Sequence, residues 1–74
     1  MTRQETLKIM AVLKAAYPAY YKGLKAVDAE GIVSLWREMF ADDEYPIVAA
    51  SVKAYIASDV KGFPPHIGAV KDAV

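Results

Sequence analysis

Apolar residues recur along this chain at intervals of three and four, which is the period of an amphipathic α-helix rather than of a strand. The first such segment follows Thr2, whose spacing to Glu5 fits a capping box. Pro18 disfavours helical geometry at the residue before it, so we expect a first helix from Thr2 to about Tyr17. Its predicted inner face comprises Ile9, Met10, Leu13, Ala16 and Tyr17.

A connector over residues 17–27 follows, compatible with one helical turn at 19–24 and a reversal at Gly23. Asp28 suits the N-cap of a second helix, with Val27 and Ile32 at the positions of a hydrophobic staple. This second helix is the clearest amphipathic element in the chain. Its apolar face comprises Ile32, Val33, Leu35, Trp36, Met39 and Phe40.

A third helix is predicted from about Pro46, because proline suits a first helical turn and three acids precede it at the positive end of the helix dipole. Its main stripe comprises Tyr45, Val48, Ala49, Val52, Tyr55 and Ile56. The other side is also weakly polar, with Ile47 and several alanines. A helix that is apolar on two sides usually has neighbours on both, so we expect this helix to be central.

Gly62 can supply a positive φ, and residues 63–65 (Phe-Pro-Pro) predict a rigid elbow before a fourth helix from about His66. Ile67, Val70 and Val74 would form the inner face of that helix. The predicted fold class is therefore all-α: a compact bundle of four short helices, with the third central. We expect residues 1–74 to form one helical domain and to be a piece of a longer protein, because the sequence stops at Val74 on the apolar stripe of a helix just begun.

Composition narrows the class of protein. Seventy-four residues with 55% hydrophobic and 24% charged side chains are typical of one small globular domain. A formal net charge of zero argues against a nucleic-acid binder that depends on phosphate contacts. The chain has no cysteine, no signal peptide and no long apolar run, so we expect a soluble, intracellular protein, away from membranes, that could function in a reducing cytoplasm.

Charge is uneven along the chain. Five basic residues precede Ala26 against Glu5 alone, whereas residues 28–44 hold six acids against Arg37. We favour two solvated faces of a bundle as the explanation. The alternative is that one end docks a partner of opposite charge.

Catalytic and ligand-binding patterns are sparse. His66 is the only histidine and lies at a helix start, and the adjacent Asp42, Asp43 and Glu44 are explained by the helix dipole better than by a cation site. We therefore predict no enzyme activity, no cofactor and no metal. Sequence-specific DNA binding is not expected either, because the third helix exposes little except Lys53 that could contact base edges.

Tyr20 and Tyr21 stand beside Lys22 and Lys25 and could stack single-stranded bases. We favour packing of these tyrosines onto the core.

Several motifs together resemble the N-terminal domain of the phage replicative-helicase loader/inhibitor family, over nearly the whole chain. They are Tyr17-Pro18, Leu35-Trp36-Arg37-Glu38-Met39-Phe40, Ala54-Tyr55-Ile56 and Lys61-Gly62-Phe63-Pro64-Pro65 followed by Ile67-Gly68 and Val70-Lys71. The resemblance implies a phage or prophage protein that acts in DNA replication without catalytic activity. Family members bind the hexameric replicative helicase, hold it inactive and help to deliver it to the origin complex.

The family resemblance also implies partners. The replicative DNA helicase is the first, contacted mainly through a C-terminal tail that we expect beyond residue 74. The origin-binding initiator or the single-strand-binding protein could then contact the folded part. The alternative functions are a replication initiator or DNA-associated regulatory module, and a small self-associating helical domain.

We predict a partner-binding surface from side chains that we expect to be exposed. Phe63, Pro64 and Pro65 would form a partly exposed apolar ledge, and Leu7 with Lys14 would lie on an outer face. Insertion of Phe63 into the core is the favoured alternative.

Overall fold

The computed structural model describes all residues, 1–74, and contains five helices and no strand. The helices, in chain order, are α1 (Arg3–Ala16), α2 (Pro18–Tyr21), α3 (Ala26–Met39), α4 (Tyr45–Ser58) and α5 (Ile67–Ala73). The all-α prediction is confirmed, and α1, α3, α4 and α5 are the four predicted helices. The fifth, α2, is a single turn within the connector. None of the helices combines the length and the apolar character that crossing a membrane requires.

The start of α1 confirms the capping box. The Thr2 hydroxyl accepts a hydrogen bond from the Glu5 N–H at 3.1 Å, and the Glu5 carboxylate accepts one from the Thr2 N–H at 2.8 Å. These bonds satisfy two backbone donors that a helix start would otherwise leave free. They also hold the pKa of Glu5 below its usual range. The helix ends at Ala16, before Tyr17-Pro18, as predicted.

The start of α3 corrects the sequence prediction. Its N-cap is Lys25 rather than Asp28, and the Ala29 N–H already bonds to the Lys25 carbonyl at 2.9 Å. Asp28 instead lies in the first turn, where its charge still suits the helix dipole. The hydrophobic staple does not form, because Val27 is 75% exposed. Nothing in Ala26 or Val27 opposes helical geometry, so the helix extends past the expected cap.

The helices pack around α1 and α4. α1 contacts α2, α3 and α4, and α4 contacts α1 and α5, so α4 does have neighbours on two sides. The helix with the most neighbours is nevertheless α1. The side of α4 that carries Ile47, Ala50 and Ala54 stays exposed, which corrects the expectation that both apolar sides of this helix are covered.

One hydrophobic core joins the four longer helices. Its buried members are Ile9, Leu13, Tyr17, Trp36, Phe40, Val48, Val52 and Val70. The rings of Trp36 and Phe40 stack at 5.2 Å between centroids. Lys71 of α5 places its ammonium group 5.3 Å from the centre of the Phe40 ring and bonds to Asp43 at 2.7 Å, which fastens α5 to the turn between α3 and α4.

Fewer apolar residues are buried than the predicted inner faces contain. Leu35 and Met39 of α3, Ala16 of α1 and Val74 are exposed, although each was expected to face inward. A small domain has more apolar positions at helical spacing than its core can cover.

Candidate functional site: the elbow groove

The segment between α4 and α5 is fixed by a carboxylate. Asp59 accepts hydrogen bonds from the backbone N–H groups of Lys61 and Gly62 at 3.0 and 3.3 Å. The chain reverses at Gly62, whose φ of 79° is costly for any residue with a Cβ. The predicted positive φ at Gly62 is therefore confirmed, and the carboxylate explains how the turn is held.

A second contact ties this carboxylate to the core. The Tyr17 hydroxyl donates a hydrogen bond to Asp59 at 2.7 Å. Desolvation and this bond raise the pKa of Tyr17 to about 12. The same bond lowers the pKa of Asp59, and the Lys61 and Gly62 amides add to the effect. The phenol therefore stays protonated and the carboxylate stays ionised over a wide pH range.

A second tyrosine anchors the elbow further along. The Tyr55 hydroxyl of α4 donates a hydrogen bond to the Phe63 carbonyl at 2.8 Å. The backbone at Phe63 is thus fixed while its side chain points outward, 55% exposed. The ring edge meets Tyr20 of α2, with centroids 5.7 Å apart and planes at 70°. The favoured expectation that Phe63 fills the core is therefore wrong.

These side chains line an apolar surface hollow, called here the elbow groove. Tyr20 and Tyr21 of α2 form one side, Ile32 and Trp36 of α3 form another, and residues 63–68 form the third. Tyr21 packs against the core as expected, but Tyr20 is 50% exposed, so the packing expectation fails for that ring.

A second apolar hollow, called here the lysine hollow, continues from the elbow groove. It lies between α1, α2 and α3, and it shares Tyr21 and Ile32 with the elbow groove. Leu24 and Lys14 also line it. The two hollows therefore adjoin at Tyr21 and Ile32, and together they are called here the depression.

The predicted partner-binding residues do not form a single cluster. Phe63 and Pro64 line the elbow groove with their surfaces accessible, whereas Pro65 is buried and cannot belong to an exposed ledge. Lys14 lies in the lysine hollow and not in the groove with Phe63. Leu7 is exposed on α1 and lines neither hollow.

Sequence analysis missed Ile32, Ile67 and Trp36 as groove residues. Each lies on a stripe that also faces the core, so periodicity alone assigns it to packing. The available signal was the Tyr20-Tyr21 pair in a short connector, two residues before Gly23.

The acidic turn remains a structural feature. Asp43 pairs with Lys71, and Glu44 is the N-cap residue of α4. No group of three or more histidine or carboxylate side chains comes together anywhere in the chain in a way that could hold a metal ion.

Comparison with known proteins identifies the family. Residues 1–71 match the family model for the N-terminal domain of the phage helicase loader/inhibitor. No curated protein and no solved structure matches the chain. The family match spans both the capped start of α1 and the elbow that leads into α5. The chain therefore belongs to the family of helicase loader/inhibitor N-terminal domains, as its motifs indicated.

Proposed function

We propose that this chain is the folded N-terminal domain of a phage or prophage protein that loads and inhibits a replicative DNA helicase. It acts through protein–protein contacts and has no catalytic activity of its own. The family match over residues 1–71 is the observation that carries this proposal. The apolar elbow groove supports it, because an exposed aromatic surface on a fixed backbone is typical of a partner site.

We propose that the folded domain and the tail that follows it bind different partners. A flexible C-terminal tail beyond this domain holds the helicase, and the domain itself contacts the origin-binding initiator or the single-strand-binding protein. The protein works in the cytoplasm of the bacterial host. A self-associating domain is the competing possibility, which the exposed Ile47 and Ala50 side of α4 favours.

The test compares two lengths of the protein. The natural-length protein and residues 1–74 are each mixed with the cognate phage helicase, and complex formation and ATPase activity are followed. We expect the long form to bind and suppress the ATPase, and the short form to do neither. Failure of both forms to bind would contradict the proposal. A mass of residues 1–74 that rises with concentration would favour self-association instead.

A further inference from the structure

The depression formed by the adjoining elbow groove and lysine hollow has an uneven charge pattern. No aspartate or glutamate lines either hollow, whereas Lys14 lines one and His66 lines the other. Lys22 and Lys25 bracket the turn between the groove-lining Tyr21 and α3, and Lys61 precedes Phe63 by two residues. None of these lysines forms an ion pair within the chain. Lys14 is the one lysine that lines a hollow, whereas Lys22, Lys25 and Lys61 stand one or two residues from lining residues. Asp28 and Glu30 flank the lining residue Ala29 in the same way, and Glu30 is paired with Arg3. Lysines are therefore in excess at the border of the depression.

We propose that this depression binds an acidic polypeptide segment with bulky apolar side chains. The apolar side chains of such a segment would cover Phe63, Tyr20 and Ile32. Its carboxylates would meet the lysines on the border. Apolar anchors supply most of the affinity in contacts of this kind, while complementary charge sets orientation and the rate of association.

Rigidity of the elbow strengthens the proposal. The bonds from Tyr17 to Asp59 and from Tyr55 to the Phe63 carbonyl fix the elbow backbone before any partner arrives. The side chains of Tyr17, Asp59 and Tyr55 do not line the groove. A preformed surface loses little conformational freedom on binding, which favours affinity from a short contact.

The ring geometry favours a polypeptide over single-stranded DNA. Base stacking needs accessible aromatic faces that succeed one another along a strand. Here the rings of Tyr20 and Phe63 meet edge to face at 70°, and Trp36 is buried against Phe40. The rings therefore form the wall of a hollow and offer no series of parallel stacking platforms.

Trp36 provides the readout. It is the only tryptophan in the chain and lines the elbow groove, so its fluorescence reports occupancy when the probe contains none. The probe is a synthetic tryptophan-free peptide of about 16 residues, with leucine and phenylalanine at helical spacing and glutamate elsewhere. A second peptide replaces every glutamate by lysine. A third probe is a thymidine oligonucleotide of about 12 nucleotides.

Matched variants localise the contact. We expect Phe63→Ala to weaken binding of the acidic peptide about tenfold, and Val60→Ala to have no effect, because Val60 is 95% exposed in the same loop but lines neither hollow. Lys14→Glu should weaken binding about threefold to tenfold at low salt. Lys53→Glu makes the same change of charge on α4 and is the control for Lys14→Glu. The melting temperature of each variant verifies that it is folded.

The outcomes are distinct. Binding of the acidic peptide alone, with losses in Phe63→Ala and Lys14→Glu only, supports the proposal. Equal binding of the acidic and basic peptides, binding of the oligonucleotide alone, or equal behaviour of Phe63→Ala and Val60→Ala would overturn it. The chemistry of the groove does not depend on which protein supplies the segment. If the acidic peptide does not bind, the helicase proposal is therefore unaffected. If the protein does not bind the helicase, the proposal that the depression binds an acidic segment is unaffected.

Discussion

Phe40 and Phe63 are the two phenylalanines of the chain, and they differ in burial. Phe40 is completely buried, stacked on Trp36 at the end of α3. Phe63 is 55% exposed and meets Tyr20 by its edge. Each has an aromatic neighbour, but only one belongs to the core. An apolar residue in a family motif can therefore lie in the core or at the surface.

The core around Phe40 and the elbow that carries Phe63 are also stabilised by different interactions. Helical stripes from α1, α3, α4 and α5 interlock around Phe40, so burial of apolar surface stabilises that region. The elbow is fixed instead by hydrogen bonds from Tyr17 and Tyr55. Polar anchors leave apolar side chains free to face solvent. The elbow groove is thus a surface supported from behind by the core.

The largest effect is expected from Phe40→Ala. Removing a fully buried ring leaves a cavity and costs about 3–5 kcal/mol of unfolding free energy, a large share of the stability of so small a domain. Urea denaturation followed by circular dichroism measures it. A loss below about 1 kcal/mol would mean that the ring is not the core anchor described here.

Tyr17→Phe should give a smaller effect that depends on pH. The lowered pKa of Asp59 means that its contribution to stability is present above the carboxyl's unfolded pKa and is lost as pH falls through the folded value. The raised pKa of Tyr17 means that the folded state keeps a proton that the unfolded state loses. That contribution is therefore present below pH 10 and is lost as pH rises towards 12.

Melting temperatures of the wild type and Tyr17→Phe across pH 2–12 test this prediction. We expect the wild type to be more stable by a constant margin from mildly acidic pH to about pH 9, and the margin to shrink at both extremes. Tyr45→Phe serves as a control, because the Tyr45 hydroxyl donates no hydrogen bond within the chain. A margin that does not change with pH would contradict the assigned bond between Tyr17 and Asp59.

The smallest effect on stability is expected from Phe63→Ala. It removes one edge contact with Tyr20 and the partial burial of one ring, so the loss should be about 1 kcal/mol, well below that of Phe40→Ala. The same urea experiment as for Phe40→Ala gives a direct comparison. A loss as large as that of Phe40→Ala would erase the distinction between the two regions.

Local signals in the sequence predicted much of the fold. The Thr2 capping box, the break at Tyr17-Pro18 and the positive φ at Gly62 each depend on a few neighbouring residues, and each is confirmed. The N-cap at Asp28 was wrong because nothing in Ala26 or Val27 opposes helical geometry, so α3 begins earlier. Lys25 is its N-cap and forms no side-chain hydrogen bond there.

The site was predicted less well for a related reason. Phe63 and Pro65 are both apolar and two residues apart, so the sequence could not reveal that Pro65 would be buried and Phe63 exposed. The elbow backbone is held by Tyr17, which bonds to Asp59 from the end of α1, and by Tyr55 of α4, which bonds to the Phe63 carbonyl. Periodicity describes faces of single helices and carries no information about such long-range anchors.

The central claim is that the elbow groove binds partners while the core behind it provides stability. Backbone amide NMR shifts of residues 1–74, recorded while the acidic peptide is added, test this claim most directly. We expect the largest shifts at Tyr20, Tyr21, Ile32 and residues 63–68, with Ala50 and Ala54 of α4 unchanged. Shifts centred on the exposed side of α4, or on the acidic turn at 42–44, would contradict the account.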